Sequence, residues 1–159
     1  MDFFEAVQKR YSHRNAFRPD PVPEADLRKI LDAGIRAPSG YNAQSCCFVV
    51  VTDAVLRKKI ATLQPTPATE TAPVIIVPVS ERVDTHENLT FEIEDYAASV
   101  ENIMLAITAL GYASVWMDGM MKLNGMSEAI GRLLHVPEGK TVRALLPVGI
   151  PVEEGKQRE

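Results

Sequence analysis

The chain carries no G-x-G-x-x-G behind a strand and no G-x-x-x-x-G-K-[ST], so neither common phosphate-cradling fingerprint is present. G-x-S-x-G and H-E-x-x-H are also missing, which excludes a nucleophile elbow and a helical zinc-protease site. The 3 histidines, His13, His86 and His135, are far apart and read as surface or loop residues rather than as ligands. There are 2 cysteines, Cys46 and Cys47, and they are adjacent. Neighbouring strand residues point to opposite faces, so a disulfide between them is not expected. No C-x-x-C spacing offers a zinc site, and the pair reads as two buried thiols. No apolar run reaches the ~18 residues that span a bilayer, so no membrane partner is expected. Lys and Arg total 17 against 21 acids, scattered without a basic block, for a net charge of −4. Such a surface gives nucleic acid no electrostatic footprint. The first residues are acidic and lack a basic leader, so a cytoplasmic location is expected rather than secretion. With no protein nucleophile or metal cluster in view, any enzyme built on this chain needs a cofactor for its chemistry.

The 159 residues, 46% apolar and 24% charged, fit one domain over 1–159 with a sizeable core. Periodicity predicts a helix over 2–11 with Asp2 at its N-cap and Phe3, Phe4 and Val7 on one face. A proline-rich extended stretch leads to a second helix over 24–36, with Leu27, Ile30, Leu31 and Gly34 inward. Residues 38–44 read as a loop and 46–52 as a buried strand. Asp53 caps a helix with Val55, Leu56, Ile60 and Leu63 on one side. Residues 64–71 read as loop, 74–79 as strand, and 80–90 as a polar access loop. The longest helix is predicted over 91–110, with Ile93, Tyr96, Val100, Ile103, Ile107 and Leu110 in one stripe and Gly111 as its stop. A strand over 113–117, a helix over 125–134, a strand over 141–148 and a polar tail over 152–159 complete the pattern. Alternating strands and helices point to an α+β sandwich on a mixed sheet, with a small parallel α/β fold as the competing architecture.

Three stretches carry chemistry. Arg10-Tyr11-Ser12-His13-Arg14 places two guanidiniums and a hydroxyl just past a helix, a set that suits phosphate. Equally, basic residues at a helix end suit the macrodipole. Pro38-Ser39-Gly40-Tyr41-Asn42-Ala43-Gln44 gathers hydroxyl and amide groups suited to a heteroaromatic edge, with Gly40 permitting close backbone approach. Trp116-Met117-Asp118-Gly119 ends a strand on a glycine whose N–H is free to meet a ligand. Each of the last two also suits an ordinary loop or turn.

In this order, with the helix sequence E-D-Y-A-A-S-V-E-N-I-M-L-A-I-T-A-L-G and the later G-I-P, the stretches resemble the nitroreductase family of FMN-dependent oxidoreductases from Phe3 to about Pro151. The resemblance implies a three-layer α+β sandwich, a central mixed sheet with helices on both faces, in an intertwined homodimer with FMN at the interface. It implies that Arg10, Tyr11 and Ser12 lie near the FMN phosphate and ribityl chain, and Arg14 at the N1–C2=O edge of the ring. Pro38, Ser39, Gly40 and Asn42 would come from the partner subunit. Asp118 and Gly119 would lie by the N5–C4=O edge, Gln64 at a ring edge, and Arg158, or failing it Lys156, at the phosphate. The implied reaction is ping-pong, with NADH or NADPH as reductant and an electron-poor small molecule, a nitroaromatic or quinone, as acceptor. The segment 64–90 leaves the family's helical lid short or absent, which implies an open site. Dehalogenase-like, flavin-cleaving and non-catalytic flavin-sensing relatives remain the alternatives.

Overall fold

The computed structural model describes residues 1–155. In chain order these form α1 (Phe3–Lys9), α2 (Glu24–Ile35), β1 (Cys46–Val51), α3 (Ala54–Leu63), α4 (Pro67–Thr71), β2 (Val74–Glu81), α5 (Glu92–Ala109), β3 (Ala113–Ser114), α6 (Met126–Leu133), β4 (Lys140–Val142) and β5 (Leu146–Gly149). The sheet runs β1-β2-β5-β3, and β4 pairs with the far end of β2. Every strand pair is antiparallel. The parallel component of the expected mixed sheet is an isolated bridge between Ser12 and Ser114.

Side-chain alternation along β2 builds the three layers. Val74 and Ile76 face a cluster with Ile30 of α2 and Val100, Ile103 and Ile107 of α5. Ile75, Val77 and Val79 face a second cluster with Ile60 of α3, Ala68 of α4 and Ile130 of α6. Each fully buried isoleucine contributes roughly 1.5–3 kcal/mol of burial free energy. The α2–α5 contact is close because Gly34 meets Ile103, where a Cβ would come within 2.8 Å of the isoleucine side chain.

The expected caps are present: Asp2 accepts from the Glu5 amide and Asp53 from the Leu56 amide. Gly111, at φ +86, follows the end of α5. Four expectations need correction. Residues 64–71 are not all loop, because Thr66 and Thr69 cap each other reciprocally and Pro67 opens α4. The expected strand 141–148 is two strands. β2 pairs Val79 with Val142 but Ile76 with Leu146, so three residues of the partner, 143–145, face two of β2, Val77 and Pro78. Pro78 has no amide hydrogen for the ladder, and a one-residue bulge forms there. The expected strand 113–117 pairs regularly only at Ala113 and Ser114, with a separate bridge at Met117. Finally, the α3 stripe buries Ile60 and Ala61 while Val55 and Leu63 stay exposed, and Ile93 of α5 is exposed too. Phe3, Phe4 and Val7 of α1 are likewise exposed. Among the described residues no helix is long and apolar enough to cross a membrane.

Candidate functional site

α1 ends as the Arg10 amide donates to the Ala6 carbonyl. The chain then runs extended beside β3, with the His13 amide donating to the Ser114 carbonyl at 2.8 Å. Alternation along this stretch sends His13 inward and Arg14 out. His13 is a loop residue but not the surface residue expected, being 2% exposed. Its ring packs on Phe17 with centroids 4.6 Å apart, and Nε2 lies 3.1 Å from the Ala16 carbonyl oxygen. A carbonyl only accepts, so Nε2 carries the proton in the neutral ring. Arg14 is exposed, with its guanidinium 3.4 Å from the Ser12 carbonyl oxygen. Arg10 lies 3.8 Å from the Glu101 carboxylate on α5. Gly155 lies against the Tyr11 ring so closely that a Cβ would overlap it. Lys156 and Arg158, expected at a phosphate, lie outside the described residues.

Arg14 lines a cavity of about 370 Å³ together with Thr66, Pro67 and Ala68 at the start of α4 and Val115, Trp116 and Met117 after β3. The wall is mainly apolar, with a single guanidinium at its margin. The Trp116 indole Nε1, the Ser114 Oγ and the Gln64 Oε1 are buried without a hydrogen-bond partner among the described residues. Burying such groups unpaired costs about 1–3 kcal/mol each. Gln64 caps α3, and its carbonyl accepts from the Thr69 hydroxyl at 2.6 Å, placing it at the corner that supplies Thr66 to the cavity. Asp118 and Gly119 follow Met117 directly. A Cβ on Gly119 would meet nothing within 4 Å, and its φ is not positive, so the glycine answers no steric or dihedral demand of this chain. The Asp118 carboxylate accepts from Lys122 Nζ at 2.9 Å and from the Tyr96 hydroxyl at 3.5 Å. Burial, reinforced by that carboxylate, raises the Tyr96 phenol above its ordinary range. The hydrogen bond to Asp118 likewise raises the Lys122 ammonium.

The loop residues Pro38, Ser39 and Asn42 line a different and more polar cavity of about 440 Å³, with Gln44, Cys46 and Asp95. It shares no lining residue with the first. Three non-glycine residues here, Tyr41, Asn42 and Gln44, have positive φ of 51, 56 and 50. Asparagine tolerates that region, whereas tyrosine and glutamine pay about 1–2 kcal/mol each. Gly40 is not open to a ligand as expected: its amide donates to Asp95 and its Cα face lies against Phe91. The Cys46 thiol is pushed up to about 12, chiefly by burial and then by Cys47, so it stays protonated. Cys47 is exposed, contrary to the expected buried pair.

The nitroreductase family model matches residues 7–65 and 63–150. The chain belongs to the nitroreductase family. A candidate NADH dehydrogenase/NAD(P)H nitroreductase of Methanothermobacter thermautotrophicus is 32% identical over 161 residues, spanning 100% of this chain and 82% of its own. A nitroreductase family protein of Clostridium novyi superposes with a TM-score of 0.84 at 29% identity, covering 99% of this chain and 89% of that one. The NADPH:FMN oxidoreductase of Vibrio harveyi, solved with NAD+, shares the fold at a TM-score of 0.84 and 22% identity, over 99% of this chain and 72% of its own. As a nitroreductase the chain is an oxidoreductase enzyme.

The first cavity suits a flavin's ring. A mainly apolar cavity lined by one guanidinium and one indole suits a heteroaromatic system with polar edges. The walls contributed by Thr66, Pro67 and Ala68 were not legible as site residues, although Thr66-Pro67 followed by Thr69 is a readable helix start. Trp116 was legible only as part of a strand end.

Proposed function

We propose that this nitroreductase binds FMN in the slot beside Arg14 and Trp116 and uses it to pass electrons from NADH or NADPH to a small electron-poor acceptor, a nitroaromatic or quinone. The observation that supports the reading is that Arg14 and Trp116 line one mainly apolar cavity of about 370 Å³, directly before Asp118 and Gly119. FMN, when bound, supplies the two-electron chemistry that no side chain here provides. Arg14 stabilises negative charge at the N1–C2=O edge, because a fixed cation in a partly desolvated site interacts strongly with a nearby anion. Arg10, Tyr11 and Ser12 hold the phosphate and ribityl chain. The contact of Gly155 on Tyr11 holds the end of the described chain at that same segment, and Arg158, or failing it Lys156, completes the phosphate clamp. Gly119 presents its amide to the N5–C4=O edge, with Asp118 turned to Tyr96 and Lys122, and Gln64 lies at a ring edge.

The molecule works as a homodimer. The exposed Phe3, Phe4 and Val7 of α1, with Leu89, Ile93 and Tyr41, form apolar surface that a second copy covers. The separation of the two cavities within one chain supports a division of labour, in which Pro38, Ser39 and Asn42 reach the flavin of the partner while Gly40 holds the loop to α5. Residues 64–90 are taken up by α4, β2 and a 3-10 turn over His86–Asn88, which leaves the slot open to flat acceptors of varied size. Donor and acceptor use one face in turn, giving ping-pong kinetics. The reading is tested by anaerobic stopped-flow on purified, FMN-loaded protein. NADH or NADPH should bleach the flavin and a nitroaromatic or quinone should restore its colour. Protein that stays colourless after incubation with FMN overturns it.

A further inference from the structure

Asp95 sits in the first turn of α5, 4% exposed, with no cation bonded to it among the described residues. Its Oδ1 accepts from the Gly40 amide at 2.8 Å and its Oδ2 from the Ser45 hydroxyl at 2.6 Å. A buried carboxylate needs such donors, and the positive end of α5 adds to them. The two donors bracket a segment that contains three left-handed non-glycine residues, Tyr41, Asn42 and Gln44. Phe91, one turn before Asp95, fills the space beside Gly40 and packs on Tyr41 with ring centroids 5.8 Å apart. The Ser45 end is held further, because its carbonyl accepts from the Glu81 amide at 2.9 Å. A strained loop thus has both ends fixed to one carboxylate, and neither end relaxes without losing a short hydrogen bond.

We infer that Asp95 is a positioning residue whose carboxylate latches the 39–45 loop in the shape that presents Ser39 and Asn42 to the flavin of the partner subunit. The inference rests on the function proposed above. Asp95 touches no flavin atom and acts through the loop. The Gly40 amide can only donate, but the Ser45 hydroxyl can also accept; an asparagine therefore keeps the Gly40 bond, forces the Ser45 hydroxyl to reverse, and replaces two charge-assisted bonds with weaker neutral ones.

The test measures FMN affinity of the dimer by fluorescence quenching for the wild type, Asp95→Asn and Ser45→Ala. The expected result is a Kd raised about tenfold or more in both variants, equivalent to about 1.4 kcal/mol, with melting of the apoprotein little changed. A second readout separates latching from general damage. Asp95→Asn subunits are paired with Arg10→Ala subunits through two affinity tags, and flavin per mixed dimer is counted. One site then joins both defects and the other joins two intact halves, so mixed dimers should retain a single tightly bound FMN that neither parent keeps. Unchanged affinity in Asp95→Asn overturns the inference and leaves the proposed function standing. Weak binding with collapsed melting and no recovery in mixed dimers also overturns it, by reducing Asp95 to a folding role. A wild-type dimer that takes up no FMN overturns both.

Discussion

Gly155 rests on the face of Tyr11, leaving no room for a side chain. The contact ties the end of the described chain to the segment that carries Arg10, Ser12 and Arg14. Replacing Gly155 with valine pushes these two parts against each other, and the tyrosine ring is not a flexible chain end that moves aside cheaply. Gly155→Val should therefore release FMN faster than the wild type while the core melts at an unchanged temperature. Dialysis followed by a flavin spectrum, beside a thermal melt, checks both halves of the statement.

The guanidinium at the rim of the slot gives a redox prediction. Arg14→Ala should keep part of the FMN affinity but lower the flavin midpoint potential. Losing about 1.4 kcal/mol of anion stabilisation corresponds to about 30 mV for a two-electron couple. Arg10→Ala should do the reverse. Loss of a charge-assisted phosphate contact, worth about 1.5–3 kcal/mol, weakens FMN retention about tenfold or more with little change in potential. Potentiometric titration and equilibrium dialysis distinguish the two arginines.

Packing at Gly34 gives a stability prediction. A methyl group there comes within 2.8 Å of Ile103 and 3.1 Å of Phe48. Overpacking of this kind costs about 1–3 kcal/mol. Gly34→Ala should lower the urea midpoint without altering the flavin potential, because neither cavity is lined by Gly34.

The two thiols should behave differently. Burial pushes Cys46 up to about 12, whereas Cys47 is exposed. Iodoacetamide at neutral pH should label Cys47 and spare Cys46, as peptide mass spectrometry would show. Unfolding frees Cys46 to ionise in the ordinary thiol range, near pH 8.5. Its contribution to stability is therefore complete below that range and is lost as pH climbs toward 12. The slope is at most about 1.4 kcal/mol per pH unit. A Cys46→Ala variant should lose less stability over that interval than the wild type, in urea titrations at stepped pH.

Elements with a strong hydrophobic period were legible in the sequence. The stripe of α5 and the apolar runs of β1 and β2 declare themselves through side chains that fill the two clusters. α4 did not, because its five residues are too few for a period and its start depends on reciprocal hydroxyl caps. The break between β4 and β5 did not either, since it follows from which residue faces Pro78 across the sheet. Periodicity gave Phe3, Phe4 and Val7 a common face but carries no information on whether that face is covered by the same chain. Arg14 was legible because a guanidinium beside a serine has a recognisable use. Asp95 was not, because a carboxylate in a first helical turn looks like solvated polarity until its partners, 50 and 55 residues away in sequence, are seen.

Pro78 has a consequence for the strand it faces and for the helix beyond it. The offset it forces sets Arg143 within the bulged stretch, where the arginine donates to Ser80 at 2.6 Å, approaches Glu92 at 3.9 Å and lies 6.0 Å from the centre of the Tyr96 ring. That arginine thereby anchors the start of α5, from which Asp95 grips one loop and Tyr96 reaches Asp118 on another. A nitrogen with no hydrogen to give thus becomes the surveyor's mark from which two separate loops, one before β1 and one after β3, take their alignment.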